Sequence, residues 1–259
     1  MSRSVRDLSQ SLEEVLSNTP AVLFGEGPHK IPVRGENWLI FTLERDETRQ
    51  IPIPEIRKWI VGDEDSDASI VQVVGDSAAP FSKEGTLEAE AKLFEFFETL
   101  EGRFRLLWGF TGQRGSDGEK DANQIVNDWI DAEAECRSRI AYANIVDVDT
   151  IRVLKNGRCM CPIKRTSQRN FIAVCGGATF GDDMKVSDAL TDHLLVLEGG
   201  SQSFAQAINV LKRGGKVSVK EGLRRGCGFS AASTLRRIKE GEEVHHMVGE
   251  VCRSNIFVL

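Results

Sequence analysis

Six cysteines and four histidines are few for a chain of 259 residues. Cys136, Cys159, Cys161, Cys175, Cys227 and Cys252 are too thinly spread for a disulfide framework. A chain of this length can bury about 70–75% of its unfolded surface and needs no such framework, so they read as reduced thiols. Cys159-Met160-Cys161 has the wrong spacing for a zinc knuckle, and two of the four histidines, His245 and His246, are adjacent. No metal site is expected on that ligand spacing. No apolar run approaches the ~20 residues of a membrane span. Residues 1–16 carry Asp7, Glu13 and Glu14 and lack the apolar centre of a signal peptide. The expectation is therefore a cytoplasmic protein with no membrane partner. A strong excess of either charge is missing as well: 33 Lys and Arg stand against 39 Asp and Glu, a net of −6. No global field draws the chain to nucleic acid or to an anionic surface. With 41% apolar and 28% charged residues, collagen, coiled coil and wholesale disorder are excluded.

What is present alternates. Val5, Leu8, Leu12, Val15 and Leu16 have helical spacing, and Asn18-Thr19-Pro20 ends that helix. Strands are expected at 38–43, 69–74, 104–110, 140–148, 171–175, 194–197 and 217–219. Helices are expected at 55–61, from Thr86 (with Leu87, Ala91, Phe94 and Phe97 on one face), from Asp121 with Gln124 in a capping relation, after Gly200, and over 230–239. The acidic run 62–67 is a solvated loop, since it lacks the glycine and terminal glutamate of a calcium loop. Apolar strands alternating with amphipathic helices predict an α/β chain: a Rossmann-like parallel sheet with helices on both faces. We expect the Rossmann-like domain over 103–259, preceded by a mixed α/β N-terminal region over 1–102.

Three strands run into glycine, at 109–118, 176–181 and 199–200. In an open parallel sheet, ligands bind beyond the carboxyl ends of the strands. Glycine lets a phosphate approach the backbone, and the next helix offers free N–H groups and a partial positive charge. Plain turn chemistry also places glycine there.

The turn Gly199-Gly200-Ser201-Gln202-Ser203-Phe204-Ala205-Gln206 resembles the G-G-x-G-T-x-x-E signature of the LONELY GUY, or lysine-decarboxylase-like, phosphoribohydrolases. That family shares a nucleotide-binding superfamily with the DNA-processing protein A (Smf) group. The approach Val186-Ser187-Asp188-Ala189 through Glu198, the loop Val174-Cys175-Gly176-Gly177 through Gly181, and the turn Phe110-Thr111-Gly112-Gln113-Arg114 also resemble these proteins. The resemblance covers roughly residues 103–222. It implies a nucleotide site made by Gly112, Arg114, Gly115, Gly176, Gly177, Gly199, Gly200, Ser201, Ser203 and Gln206. The departures are Gln202 for the third glycine, Ser203 for threonine and Gln206 for the acid. Glutamine cannot accept a proton as a general base and has no full charge for a developing cation. An N-glycosidic hydrolase would need Glu198 or Asp182 as a substitute catalytic acid.

The same residues have simpler roles open to them. Ser203 with Gln206 spells a capping box. Cys175 reads as an inert buried thiol or a nucleophile. Between Lys212 and Lys239 nine residues are basic and Glu221 alone is acidic. That stretch is either a solvated face or a polynucleotide surface, and Phe229 is its one aromatic, too little for a base-stacking platform. The expected function is binding of a nucleotide or nucleotide-derived ligand by a sensor or binding module, with no further cofactor. The alternatives are a nucleoside-monophosphate phosphoribohydrolase and, least favoured, a nucleic-acid-handling protein. The resemblance also implies a homodimer.

Overall fold

The computed structural model describes residues 29–33, 36–43, 53–62, 67–75, 80–100, 104–107, 115, 118–132, 141–147, 170–175, 182–224, 229–242 and 251–259. The elements in chain order are β1 (His29–Val33), β2 (Glu36–Leu43), α1 (Ile53–Val61), β3 (Ser69–Gly75), α2 (Lys83–Glu98), β4 (Phe104–Leu107), α3 (Ala122–Ala132), β5 (Ala141–Asp147), β6 (Asn170–Cys175), α4 (Asp182–Leu190), β7 (His193–Leu197), α5 (Ser201–Lys212), β8 (Lys216–Lys220), α6 (Ala231–Lys239) and β9 (Ile256–Val258). The helix expected over residues 1–20 lies outside the described residues.

The chain divides into two compact units. The first holds Met1–Asp67, Arg105–Phe110 and Arg137–Ser187. In it β4, β5, β6 and β2 run parallel, and β1 returns antiparallel beside β2. Arg105 on β4 is buried. Its guanidinium donates to the carbonyls of Ile60 (3.2 Å) and Val61 (3.0 Å), closing the last turn of α1. Helix ends leave such carbonyls unmet, and a fixed cation there also suits the helix dipole.

The second unit holds Ala68–Phe104, Thr111–Cys136 and Asp188–Leu259. Its strands β3, β7, β8 and β9 lie in that order and all run parallel. Alternation along each strand sends side chains to opposite faces. Leu194 and Val196 on β7, with Val217 and Val219 on β8, pack under Ala207, Val210 and Leu211 of α5 and Leu235 of α6. On the other face His193 meets Phe96 of α2 edge-on, 4.7 Å between ring centres, and Lys220 pairs with Glu88 of α2 at 2.5 Å. Helices thus cover both faces of a parallel sheet, the Rossmann-like arrangement that the alternating pattern predicts. Strands from the N-terminal region join the sheets, β2 beside β6 and β3 beside β7.

Two details depart from the sequence reading. Helix α2 begins at Lys83 instead of Thr86, because Ser82 accepts from Gly85 N at 3.1 Å and caps it. Its buried face is made by Ala89, Leu93, Phe96 and Phe97, while Leu87 and Phe94 are exposed.

His193 is enclosed by Phe96 and Phe257 and shares a hydrogen bond with Ser218 Oγ at 3.0 Å. Burial, aided by the charge of Lys216, lowers its pKa from 6.5 to about 4. A folded pKa below the unfolded one favours the neutral ring. Stability is then full above pH 6.5 and falls as the pH drops toward 4, where only the unfolded chain takes the proton. The loss should reach about 2–3 kcal/mol. Urea midpoints at pH 7 and pH 4.5 for the wild type and His193→Leu check this: the leucine variant should show the smaller drop.

Candidate functional site

In the second unit the carboxyl ends of β3, β7 and β8 share one edge, and four helices begin there. Helix α2 is capped by Ser82. Helix α3 is capped by Asp121, whose Oδ1 accepts from Gln124 N at 2.8 Å, as its sequence spacing predicts. Helix α6 is capped by Ser230, which accepts from Ser233 N at 3.1 Å. Helix α5 starts at Gly200 with no side-chain cap. Its first intrahelical bond is Phe204 N to Gly200 O, 3.0 Å, so the N–H groups of Ser201, Gln202 and Ser203 precede the ladder. Helices α2 and α5 leave the ends of the neighbouring strands β3 and β7 toward opposite faces, which is where open α/β sheets form a crevice.

Glycine is needed at this edge. Gly199 has φ +76°, and a Cβ there would lie 2.6 Å from Ser203 Cβ. At Gly75, the last residue of β3, a Cβ would lie 2.4 Å from Ala122 Cβ. Gly200 is extended, and a Cβ on it would meet nothing within 4 Å.

Ser203 lies inside the first turn of α5 and donates from Oγ to the Gly75 carbonyl at 3.2 Å, tying α5 to the end of β3. The capping box that Ser203 and Gln206 spell is therefore absent. The double glycine starts the helix three residues earlier, which places both side chains within it. Gln206 is buried against Asp188, at the end of α4. Asn209 Nδ2 donates to Asp188 Oδ2 at 2.9 Å, and Oδ1 has no partner at hydrogen-bond distance. Burial raises the Asp188 pKa, against the pull of the Asn209 and Gln206 amides and the charge of Arg213.

Glu198 is 5% exposed and has φ +60°, the only non-glycine residue with positive φ among those described. Its carboxylate accepts from Gly222 N at 3.1 Å and from Ser230 Oγ at 2.9 Å. Its backbone N–H donates to Lys220 O, and its carbonyl accepts from Ala232 N. Glu198 thus fastens the end of β7 to the end of β8 and the start of α6.

Among the residues expected at the site, Glu198, Gly199, Gly200, Ser201 and Ser203 come together at this edge. Gln206 is on the same helix, turned into its packing. Gly115 lies against Glu119 and Pro80, its N–H bonded to Glu119 O at 2.9 Å. Asp182 opens α4, and its side chain lies outside the described residues. Gly112, Arg114, Gly176 and Gly177 also lie outside them. Three residues at or near the edge escaped the sequence reading as site elements: Gly75, Ser230 and Asp188. Only Asp188 had a signal, its place in the Ser187-Asp188-Ala189 approach.

Part of the basic stretch is paired with acids. Arg236 pairs with Glu221 and Glu240, Arg237 with Glu242, and Lys220 with Glu88. Arg213 donates to the carbonyls of Ala189 and Thr191. Arg224 lies over the Phe81 ring, 5.6 Å from its centre. Among the described residues no helix is long and apolar enough to cross a membrane, and no three His, Cys, Asp or Glu side chains gather as a metal site. No family model and no curated protein matches the chain.

Proposed function

We propose that the protein binds a nucleotide or nucleotide-derived ligand, with its phosphate on the amide groups at the start of α5, and acts as a sensor or binding module. One observation carries this reading: of the four helix starts at the strand ends, three are closed by their own side chains and α5 is not. Uncapped N–H groups with the helix dipole behind them suit an oxyanion. The resemblance of residues 199–206 to a nucleotide-binding signature supplies the ligand class. A cytoplasmic setting accords with the expected reduced thiols.

Binding without hydrolysis is favoured over phosphoribohydrolase chemistry. Both oxygens of Glu198 are engaged within the fold, and Gln206 has no carboxylate. A polynucleotide surface is the less favoured reading, because Arg236 and Arg237 of the basic stretch are held by Glu221, Glu240 and Glu242.

Gly200→Asp tests the reading, because its two effects have opposite signs. The new side chain has room and would cap α5, adding a few tenths to about 1 kcal/mol of stability. It would also put a negative charge where the phosphate sits, and nucleoside monophosphate affinity should fall at least about tenfold. Thermal shifts of both proteins against nucleoside mono-, di- and triphosphates, with chromatography for released base, read both effects. Nucleotide shifts that are equal in the two proteins would reject this site, and free base would restore the hydrolase.

A further inference from the structure

Two aromatic rings stand beside the start of α5. Phe204 is the first residue whose N–H enters the ladder of that helix, directly after the amides of Ser201, Gln202 and Ser203. Phe229 immediately precedes Ser230, the cap of α6. Phe229 is the one aromatic of the basic stretch, but the fold brings Phe204 to it from outside that stretch. The rings meet edge-on, at 88° and 6.0 Å between centres.

Hydrogen bonds hold Phe229 next to the double glycine. Ala231 N donates to Gly199 O at 2.9 Å, and Ala232 N to Glu198 O at 2.8 Å. Ser230 Oγ donates to the Glu198 carboxylate at 2.9 Å. The residues that open α6 are thus laced to those that precede α5. Helical side chains lean toward the N-terminus, which carries the Phe204 ring back toward the first turn of α5.

The two rings differ in burial. Phe204 packs on the core beneath α5 and α6, whereas Phe229 is 50% exposed. An edge-on contact uses only one of the four ring faces in a pair. Ser201, Gln202 and Ala205 beside them are exposed and uncharged, and α5 has no acid in its first turn. Glu198, the acid just before the double glycine, is buried with both oxygens engaged. Open aromatic surface therefore adjoins open amides, with no exposed carboxylate on α5 between them.

We propose that Phe229, backed by Phe204, seats the base of the ligand, so that this edge takes nucleotides in preference to sugar phosphates and inorganic oxyanions. Resting on the phosphate reading above, this assigns the other end of the ligand. Ser201 and Phe204 are separated by about 4.5 Å along the helix axis. The ribose between a phosphate and its base fills such a gap. Stacking on an aromatic face accepts any base, because every base has a flat π surface.

Calorimetric titration of the full chain with adenosine monophosphate and with ribose 5-phosphate is the test, on the wild type, Phe229→Leu and Phe229→Tyr. Leucine keeps an apolar contact with Phe204 and removes the ring face, and tyrosine keeps the face. The wild type should bind adenosine monophosphate at least about tenfold more tightly than ribose 5-phosphate, the scale of one base–aromatic stack. Phe229→Leu should lose that advantage with ribose 5-phosphate affinity unchanged, and Phe229→Tyr should keep it. Proton spectra read the contact itself: the adenine H2 and H8 resonances should move upfield on binding to the wild type and to Phe229→Tyr, and not on binding to Phe229→Leu. Equal adenosine monophosphate affinity in the wild type and Phe229→Leu would overturn the aromatic seat and leave the phosphate reading standing. Equal weakening of both ligands by Phe229→Leu would also overturn it, since the ring would then act on the phosphate end. A wild type that binds neither ligand would remove the phosphate reading and the aromatic seat with it.

Discussion

Gly85→Ala should cost the fold about 2–4 kcal/mol, although the same change inside an open helix stabilises by about 0.5–1 kcal/mol. The reason is contact. Gly85 is in the first turn of α2, and a Cβ there would lie 2.0 Å from the carbonyl oxygen of Leu223 and 2.8 Å from its carbonyl carbon. Leu223 belongs to the segment that follows β8 and is itself fully buried. The obstacle is backbone, so no side-chain rotation relieves it. Either α2 withdraws from the sheet, exposing Phe96 and Leu93, or the segment after β8 moves and loosens the contacts around Glu198. Urea denaturation checks the size, with Gly200→Ala as the control, since a Cβ at Gly200 meets nothing within 4 Å. Equal midpoints for the two variants would mean that α2 does not rest on the segment after β8.

Glu198→Ala should cost about 3–4 kcal/mol, and Glu198→Gly about 1 kcal/mol less. Both variants remove a buried carboxylate and leave the Gly222 N–H and the Ser230 hydroxyl without their acceptor. Unmet buried donors cost about 1–3 kcal/mol each, with relief where water can enter. The two variants differ in backbone alone. Glu198 has φ +60°, a conformation that glycine adopts freely and alanine does not. The difference between them therefore measures the strain at this turn, separately from the carboxylate's hydrogen bonds. Thermal unfolding of the pair gives both quantities. If the glycine variant is no more stable than the alanine variant, the positive φ is not retained in solution. A stable Glu198→Ala protein that lost catalytic turnover would return this residue to the catalytic role that the sequence suggested for it.

The architecture was legible where apolar runs end in glycine. Strands β7 and β8 and helix α5 were placed to within a residue or two, because Leu194–Leu197 and Val217–Val219 are buried on both faces and Gly199-Gly200 and Gly214-Gly215 bound the helix. Strand β9 was missed because three residues carry no period. The buried face of α2 was misjudged because Phe94, Phe96 and Phe97 allow two helical stripes, and only packing against His193 and Phe104 selects the stripe with Phe96 and Phe97.

The candidate site was legible as a place more than as a set of roles. The double glycine marks the start of α5, yet the spacing of Ser203 and Gln206 suggested a cap that the helix does not use. The partners of Glu198 are 24 and 32 residues away in the chain, and the Asn209 that holds Asp188 is 21 residues away. No local pattern encodes such pairings. They arise when parallel strands bring their carboxyl ends to one edge.

A phosphate held by the first amides of α5 has a direct signature in solution. The most direct measurement is a titration of the ¹⁵N-labelled protein with adenosine monophosphate, and in parallel with adenosine and with inorganic phosphate, following each backbone amide. The largest shifts should fall on Ser201, Gln202 and Ser203, inorganic phosphate should reproduce them more weakly, and adenosine alone should not. Saturable shifts at other residues, with these three amides unmoved, would contradict a phosphate at α5.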